Sequence, residues 1–205
     1  MLKVRIAVLV SGGGTNLQAL IDAQKAGIIK SGEIELVVAS NDKAYALQRA
    51  AAAGIEAAVA SKKELGSQSR FEEALCALMT EKDIDLIVMA GFMSILTKDF
   101  TDKYPMRIIN IHPSLIPSFC GKGFYGLHVH EAALEKGVKV TGATVHFVNE
   151  IPDGGRIIAQ KAVCVEDGDT PERLQKRVME QAEWLILPAA TETVSRQIAE
   201  RKNEK

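Results

Sequence analysis

The stretch Arg5-Ile6-Ala7-Val8-Leu9-Val10-Ser11-Gly12-Gly13-Gly14-Thr15-Asn16 decides the fold class of this 205-residue chain. Its first half is apolar and rich in branched residues, with the length of a buried strand. The glycines break that strand, and the polar residues behind them can open a helix. A strand that passes through a glycine turn into a helix is the first half of a βαβ unit. The same alternation continues downstream. Residues 35–39, 56–60, 84–90 and 107–111 read as further buried strands, and 16–26, 45–53, 68–81 and 98–103 as helices. Gly27 and Gly54 stand just past two of these helices, where positive φ often ends an α-helix. Such a pattern predicts an α/β fold: a doubly wound, mostly parallel sheet with helices on both faces.

Beyond Pro117 the pattern changes. A glycine-rich loop at 121–126 leads to a helix over 128–136, then to two apolar strands, 141–148 and 156–165. Their short connection predicts a C-terminal antiparallel strand pair. Thr170 is placed to cap a long final helix with Pro171 at its first position. That helix carries Leu174, Val178, Trp184 and Leu185, and Pro188 is positioned to kink or divide it. With no repeat or linker, one domain over 1–205 is expected, its halves at about 1–105 and 106–205.

The totals exclude several classes. A net charge of −1 supplies no basic field for a nucleic-acid backbone. The basic end (Arg196, Arg201, Lys202, Lys205) is interrupted by Glu200 and Glu204 and reads as a solvated helix end. No segment approaches a membrane span, and no secretory signal is apparent. The 3 cysteines, Cys76, Cys120 and Cys164, are scattered, which fits a reducing cytoplasm and no disulfide framework. Small molecules are therefore the expected partners, with the chain a monomer or a homodimer.

The chemistry concentrates in Asn110-Ile111-His112-Pro113-Ser114-Leu115-Ile116-Pro117 and in Asp153-Gly154-Gly155. Asn110 and His112 are two apart on a strand and so face one way. An amide can donate to a developing oxyanion, an imidazole can move a proton, and a carboxylate can tune that imidazole. The alternatives are a structural histidine and an ordinary turn aspartate. Ser114 lacks a base and reads as a turn residue. A Cys120–His112 pair and a zinc site built from His112, His128, His130 and His146 are weaker rivals. The glycine loop offers free N–H groups at a helix start, suited to a phosphate; the bland alternative is a turn capped by Thr15 or Asn16. Asn, His and Asp with neither nucleophile nor metal suggest direct acyl transfer between two bound substrates.

These motifs, with Ala90-Gly91-Phe92-Met93 and Gly142-Ala143-Thr144-Val145-His146-Phe147-Val148, closely resemble the phosphoribosylglycinamide (GAR) formyltransferase family of purine synthesis, over essentially the whole chain. The resemblance implies a Rossmann-like formyltransferase fold. It implies transfer of a formyl group from 10-formyltetrahydrofolate, the co-substrate, to the amine of GAR, without a metal. It also implies catalytic roles for Asn110, His112 and Asp153, with His112 protonated and held by Asp153. Gly13, Gly14, Thr15 and Asn16 would hold the GAR phosphate, and Glu183 the ribose. The folate would lie along Met93, Ser94, Ile95 and Leu96, beside Asn110, and along Val148, Asn149, Glu150, Ile151 and Asp153.

Two departures from the family stand out. Ser94 replaces an arginine found in some members, and the loop over 118–126, with Cys120 and Lys122, is longer than usual. It would serve as a lid, a further phosphate contact through Lys122, or a mobile insertion. A formyl-folate hydrolase is the nearest rival; it usually carries a regulatory domain before the first strand and a second His where this chain has Pro113. A tRNA-directed formyltransferase would need a basic C-terminal domain, and a silent phosphate- or folate-binding module would not need Asn110, His112 and Asp153 together.

Overall fold

In the computed structural model, residues 3–204 are described. Met1, Leu2 and Lys205, which the sequence reading included, lie outside them. Strands β1 (Val4–Val10), β2 (Gly32–Ala39), β3 (Glu56–Val59), β4 (Leu86–Met89) and β5 (Ile108–His112) alternate with helices α1 (Thr15–Lys25), α2 (Ala46–Ala52), α3 (Lys62–Leu65), α4 (Gln68–Glu81) and α5 (Lys98–Thr101). Helix α6 (Leu127–Lys136), strands β6 (Val140–Phe147) and β7 (Ile157–Cys164), and helices α7 (Pro171–Val178) and α8 (Trp184–Asn203) complete the chain. The sheet has seven strands in the order β3-β2-β1-β4-β5-β6-β7. The pairs from β3 to β5 are parallel; β5–β6 and β6–β7 are antiparallel. The expected doubly wound sheet with a C-terminal strand pair is thus what the chain forms.

Successive strand residues point to opposite faces, and both faces are covered. From β1, Val4, Ile6, Val8 and Val10 enter one core with Leu17, Leu20, Leu187 and Val194, while Ala7 and Leu9 enter a second with Phe71, Leu75 and Phe100. Burying a side chain such as Phe71 contributes about 1.5–3 kcal/mol. Strand β5 breaks this symmetry. Ile109 and Ile111 join the first core, Ile108 joins the second, and Asn110 and His112 follow Ile108 on its face, beyond the second core's apolar cover. The sheet order reverses between β1 and β4, so the loops after those strands diverge and leave a crevice at their carboxyl ends.

Three details differ from expectation. The one-turn helix α3, capped by Ser61 accepting from the Glu64 N–H, has no hydrophobic period to announce it. Pro188 does not divide the last helix: it lies buried inside α8, and the break comes earlier, as a π turn over Met179–Glu183. Leu185 is 55% exposed, because the π turn has changed which face meets the core. The basic C-terminal end is also less free than its composition suggests, since Lys202 Nζ sits 2.5 Å from Asp85 Oδ1. Thr170 caps α7 as expected, accepting from the Arg173 N–H, and Gly27 and Gly54 take φ near 70°.

Candidate active site

The glycine loop turns at the carboxyl end of β1. Gly14 occupies the N-cap of α1 with φ 71°, and no side chain caps the helix. A Cβ on Gly14 would stand 2.7 Å from Ala46 Cβ and 2.9 Å from Ala46 Cα, so only glycine allows α2 to come this close. Gly12 and Gly13 are exposed, and a Cβ on either would meet open space. Among the described residues, no acceptor meets the N–H groups of Gly12, Gly13, Gly14, Thr15 or Asn16. Such a row of donors at a helix start favours an anion.

Thr15 and Asn16 are not caps. The Thr15 hydroxyl reaches the Met179 sulfur at 3.8 Å, and Asn16 Nδ2 donates to Glu183 Oε2 at 2.6 Å. Two residues 167 apart in the chain, both expected at the GAR site, therefore meet directly. Glu183 is buried, and that burial pushes its carboxyl up to about 7, offset in part by the Asn16 amide. It sits at the end of the π turn, where the wider coil presents it to α1 while α7 and α8 keep Leu174, Val178 and Leu187 in the core. π turns often mark such sites.

The second group lies on β5 and β6. Opposed residues of an antiparallel pair share a face, and Asn110 is opposite His146, His112 opposite Thr144. His146 Nδ1 lies 2.8 Å from the Phe147 carbonyl, which can only accept, so Nδ1 carries hydrogen, and Nε2 lies 3.2 Å from Asn110 Nδ2. That contact fixes the amide and leaves its second N–H for a ligand. His112 Nε2 lies 2.9 Å from the Phe119 carbonyl and so carries hydrogen, while Nδ1 faces Asp153 Oδ2 at 3.5 Å. The Gly121 N–H donates to the same Asp153 oxygen at 2.8 Å, and Asp153 Oδ1 lies 3.5 Å from His146 Nε2. Neither Phe119 (φ 50°) nor Asp153 (φ 56°) is glycine, so both sides of the histidine are held in strained backbone.

Burial pushes the Asp153 carboxyl up, but the facing His146 and His112 rings and the Gly121 N–H outweigh it and hold the group below its ordinary value. Burial lowers His112; Asp153 and the Phe119 carbonyl oppose that without reversing it. A proton on Nδ1 would form an ion pair with Asp153.

A cavity of about 670 Å³ opens in front of these groups. Met93, Ser94, Ile95 and Leu96 form one wall, with Asn110 and His112 at the base. Val148, Asn149, Ile151 and Asp153 form another, while Glu150, also expected to contact folate, is not part of the lining. Residues 121–126 complete the wall, so the long loop, Lys122 included, belongs to this cavity. The glycine loop adjoins it through Ser11, whose hydroxyl accepts from the Met93 N–H at 2.9 Å. A second cavity of about 470 Å³, at the amino ends of β1 and β4 around Arg5 and Asp85, contains none of this chemistry.

The family model described as formyl transferase matches residues 4–191. The chain belongs to the formyl transferase family. It is 41% identical to the phosphoribosylglycinamide formyltransferase of Haemophilus influenzae over 90% of this chain and 84% of that one. It is 46% identical to the trifunctional purine biosynthetic protein adenosine-3 of Gallus gallus over 94% of its length, yet spans only 18% of that protein. The crystal structure of glycinamide ribonucleotide transformylase 1 from Symbiobacterium toebii superposes with a TM-score of 0.88 at 40% identity, covering 95% of this chain and 89% of that one.

Within this formyl transferase chain, sequence reasoning missed four groups at the site: the His146 ring, the Phe119 carbonyl, the Gly121 N–H and the Ser11 hydroxyl. Only His146 left a signal, as a polar residue two past Thr144 in a largely apolar strand. Ser114 is a buried turn residue donating to the Ser118 carbonyl at 2.6 Å. Cys120 donates to the Pro117 carbonyl, and burial beside Asp153 pushes its thiol up, so it forms no pair with His112. His128 is exposed on α6 and pairs with Glu131, while His130 is buried and pushed down to about 4 by burial and by His112. Among the described residues, no three His, Cys, Asp or Glu side chains converge on a possible metal position, and no helix is long and apolar enough to cross a membrane.

Proposed function

We propose that the chain transfers the formyl group of 10-formyltetrahydrofolate to the amine of 5′-phosphoribosylglycinamide, yielding formyl-GAR and tetrahydrofolate in purine synthesis. One observation carries this reading: an amide donor, an imidazole and a carboxylate converge at the base of a largely apolar cavity that adjoins a loop of free N–H groups. The cavity suits a flat folate along Met93 to Leu96 and Val148 to Ile151, and the loop Gly13–Asn16 suits the phosphate of GAR, with Glu183 at its ribose. Residues 1–205 act as one formyltransferase domain on small-molecule substrates in the cytoplasm.

The amine attacks the formyl carbon, and a C–N bond forms as the carbonyl becomes an oxyanion. The free N–H of Asn110 donates to that oxygen. His112 takes the proton that the amine loses and, as an imidazolium paired with Asp153, stabilises the same charge. The bond from carbon to the folate nitrogen then breaks, and the proton leaves with that nitrogen. Holding two substrates across one crevice supplies the proximity that direct transfer requires.

The test is release of tetrahydrofolate from 10-formyltetrahydrofolate, followed by absorbance with and without GAR. Turnover that depends on GAR is expected. Equal turnover without it would identify a hydrolase and refute the transfer.

A further inference from the structure

The glycine loop is held from behind by the segment that links β2 to α2. The Ser11 carbonyl accepts from Asn41 Nδ2 at 2.9 Å, the Gly12 carbonyl from the Ala46 N–H at 3.1 Å, and the Gly13 carbonyl from Arg49 Nε at 2.8 Å. In a trans peptide, C=O of one residue and N–H of the next point in opposite directions. Turning three successive carbonyls toward the 41–49 segment therefore turns the N–H groups of Gly12, Gly13 and Gly14 the other way. Those are the N–H groups that meet no acceptor among the described residues. Donors on a carbonyl also polarise its peptide and strengthen the N–H beyond it as a donor.

The donors are themselves fixed. Asn41 Oδ1 accepts from the Lys43 N–H at 3.1 Å, which closes a turn around the amide. Arg49 Nη1 donates to Gln18 Oε1 on α1 at 3.0 Å, and its guanidinium lies 5.2 Å above the Tyr45 ring. The third donor is a backbone N–H at the start of α2, where helical donors lack internal partners. The close contact of Gly14 with Ala46 seats the two elements together.

We propose that Asn41 and Arg49 are positioning residues for the phosphoryl group of the substrate: they touch the loop's carbonyls, and through them aim its N–H groups at the anion. The inference rests on the reading of this loop as the GAR phosphate site. Arg49 acts through its Nε–H on the Gly13 carbonyl, so its charge alone is not sufficient.

The experiment measures kcat and KM for Asn41→Ala, Arg49→Ala and Arg49→Lys, each with GAR and with its dephosphorylated riboside, at saturating 10-formyltetrahydrofolate. Loss of a charge-assisted contact predicts a KM for GAR raised about tenfold in each variant, Arg49→Lys included. The kcat values, the KM for formyl folate and turnover of the riboside stay within about twofold of wild type. A wild-type KM for GAR in Arg49→Lys would overturn the proposal, because charge would then suffice. So would equal losses with GAR and riboside, since those report a deformed site and not a lost phosphate contact. A wild-type enzyme that uses the riboside as well as GAR would instead refute the phosphate reading beneath it.

Discussion

The two ends of the site are built in opposite ways. At the glycine loop, the backbone faces the ligand, and side chains from Asn41 and Arg49 hold it from behind. At the end of β5, side chains face the ligand, and backbone groups hold them: the Phe119 carbonyl on His112 and the Gly121 N–H on Asp153. On the proposed assignment, the difference follows from the chemistry each end would perform. A phosphate needs several donors of fixed direction and no proton transfer, which a row of peptides supplies. Formyl transfer needs groups whose charge can change, which only side chains supply. One end should therefore fail through KM and the other through kcat.

Replacing the ligand-facing side chains breaks the comparison most sharply. His112→Ala and Asn110→Ala are expected to lower kcat by roughly 10²- to 10⁴-fold with little change in the KM for GAR, checked by steady-state kinetics. Asp153→Asn, a change that tolerates the same positive φ, leaves the ring in place and removes the charge that raises its pKa. The acid limb of kcat, set by protonation of His112 below its ordinary 6.5, should then move to still lower pH, with kcat down about 10²-fold; a limb that stays in place would dissociate Asp153 from His112.

Gly14→Ala tests the other end, where positive φ and the Ala46 contact both oppose a side chain. A cost of roughly 2 kcal/mol would lower Tm by about 4–8 °C and raise the KM for GAR while sparing kcat. Glu183→Gln spares turnover most, and its effect is one of pH. The Glu183 carboxyl is raised from 4.5 to about 7, so it favours folding below pH 4.5, and that contribution fades as pH rises to about 7. The variant should lose this slope, worth roughly 3 kcal/mol across the window, and be relatively more stable at pH 8; chemical denaturation at pH 4.5 and 8 measures it.

Much of this was legible because it is local. The period of β1 and its glycines announces a parallel α/β sheet, and the spacing of Asn110 and His112 places both on one face. What stayed hidden depends on register and on loops. Nothing in the order of residues says that His146 falls opposite Asn110, since antiparallel register is set by pairing across the sheet. The Phe119 carbonyl and Gly121 N–H belong to no residue type and leave no compositional trace. A cap at Thr15 or Asn16 was the bland alternative, since polar residues at a helix start usually cap it; tertiary contact with Glu183 and Met179 took precedence. Glu150 followed its neighbours in sequence but not into the cavity, because the loop after β6 turns between Asn149 and Ile151.

The π turn at Met179–Glu183 has a consequence for how such a chain can change over generations. In a strict α-helix, adding or losing one residue rotates everything beyond it by roughly 100°. A wide turn confines that rotation to itself, so α7 and α8 need not agree on a common count. One codon gained or lost here would turn Glu183 relative to Asn16 while the cores on either side kept their contacts. The last helix thus offers a place where the surroundings of Asn16 and Glu183 can be revised in a single genetic step without a new fold.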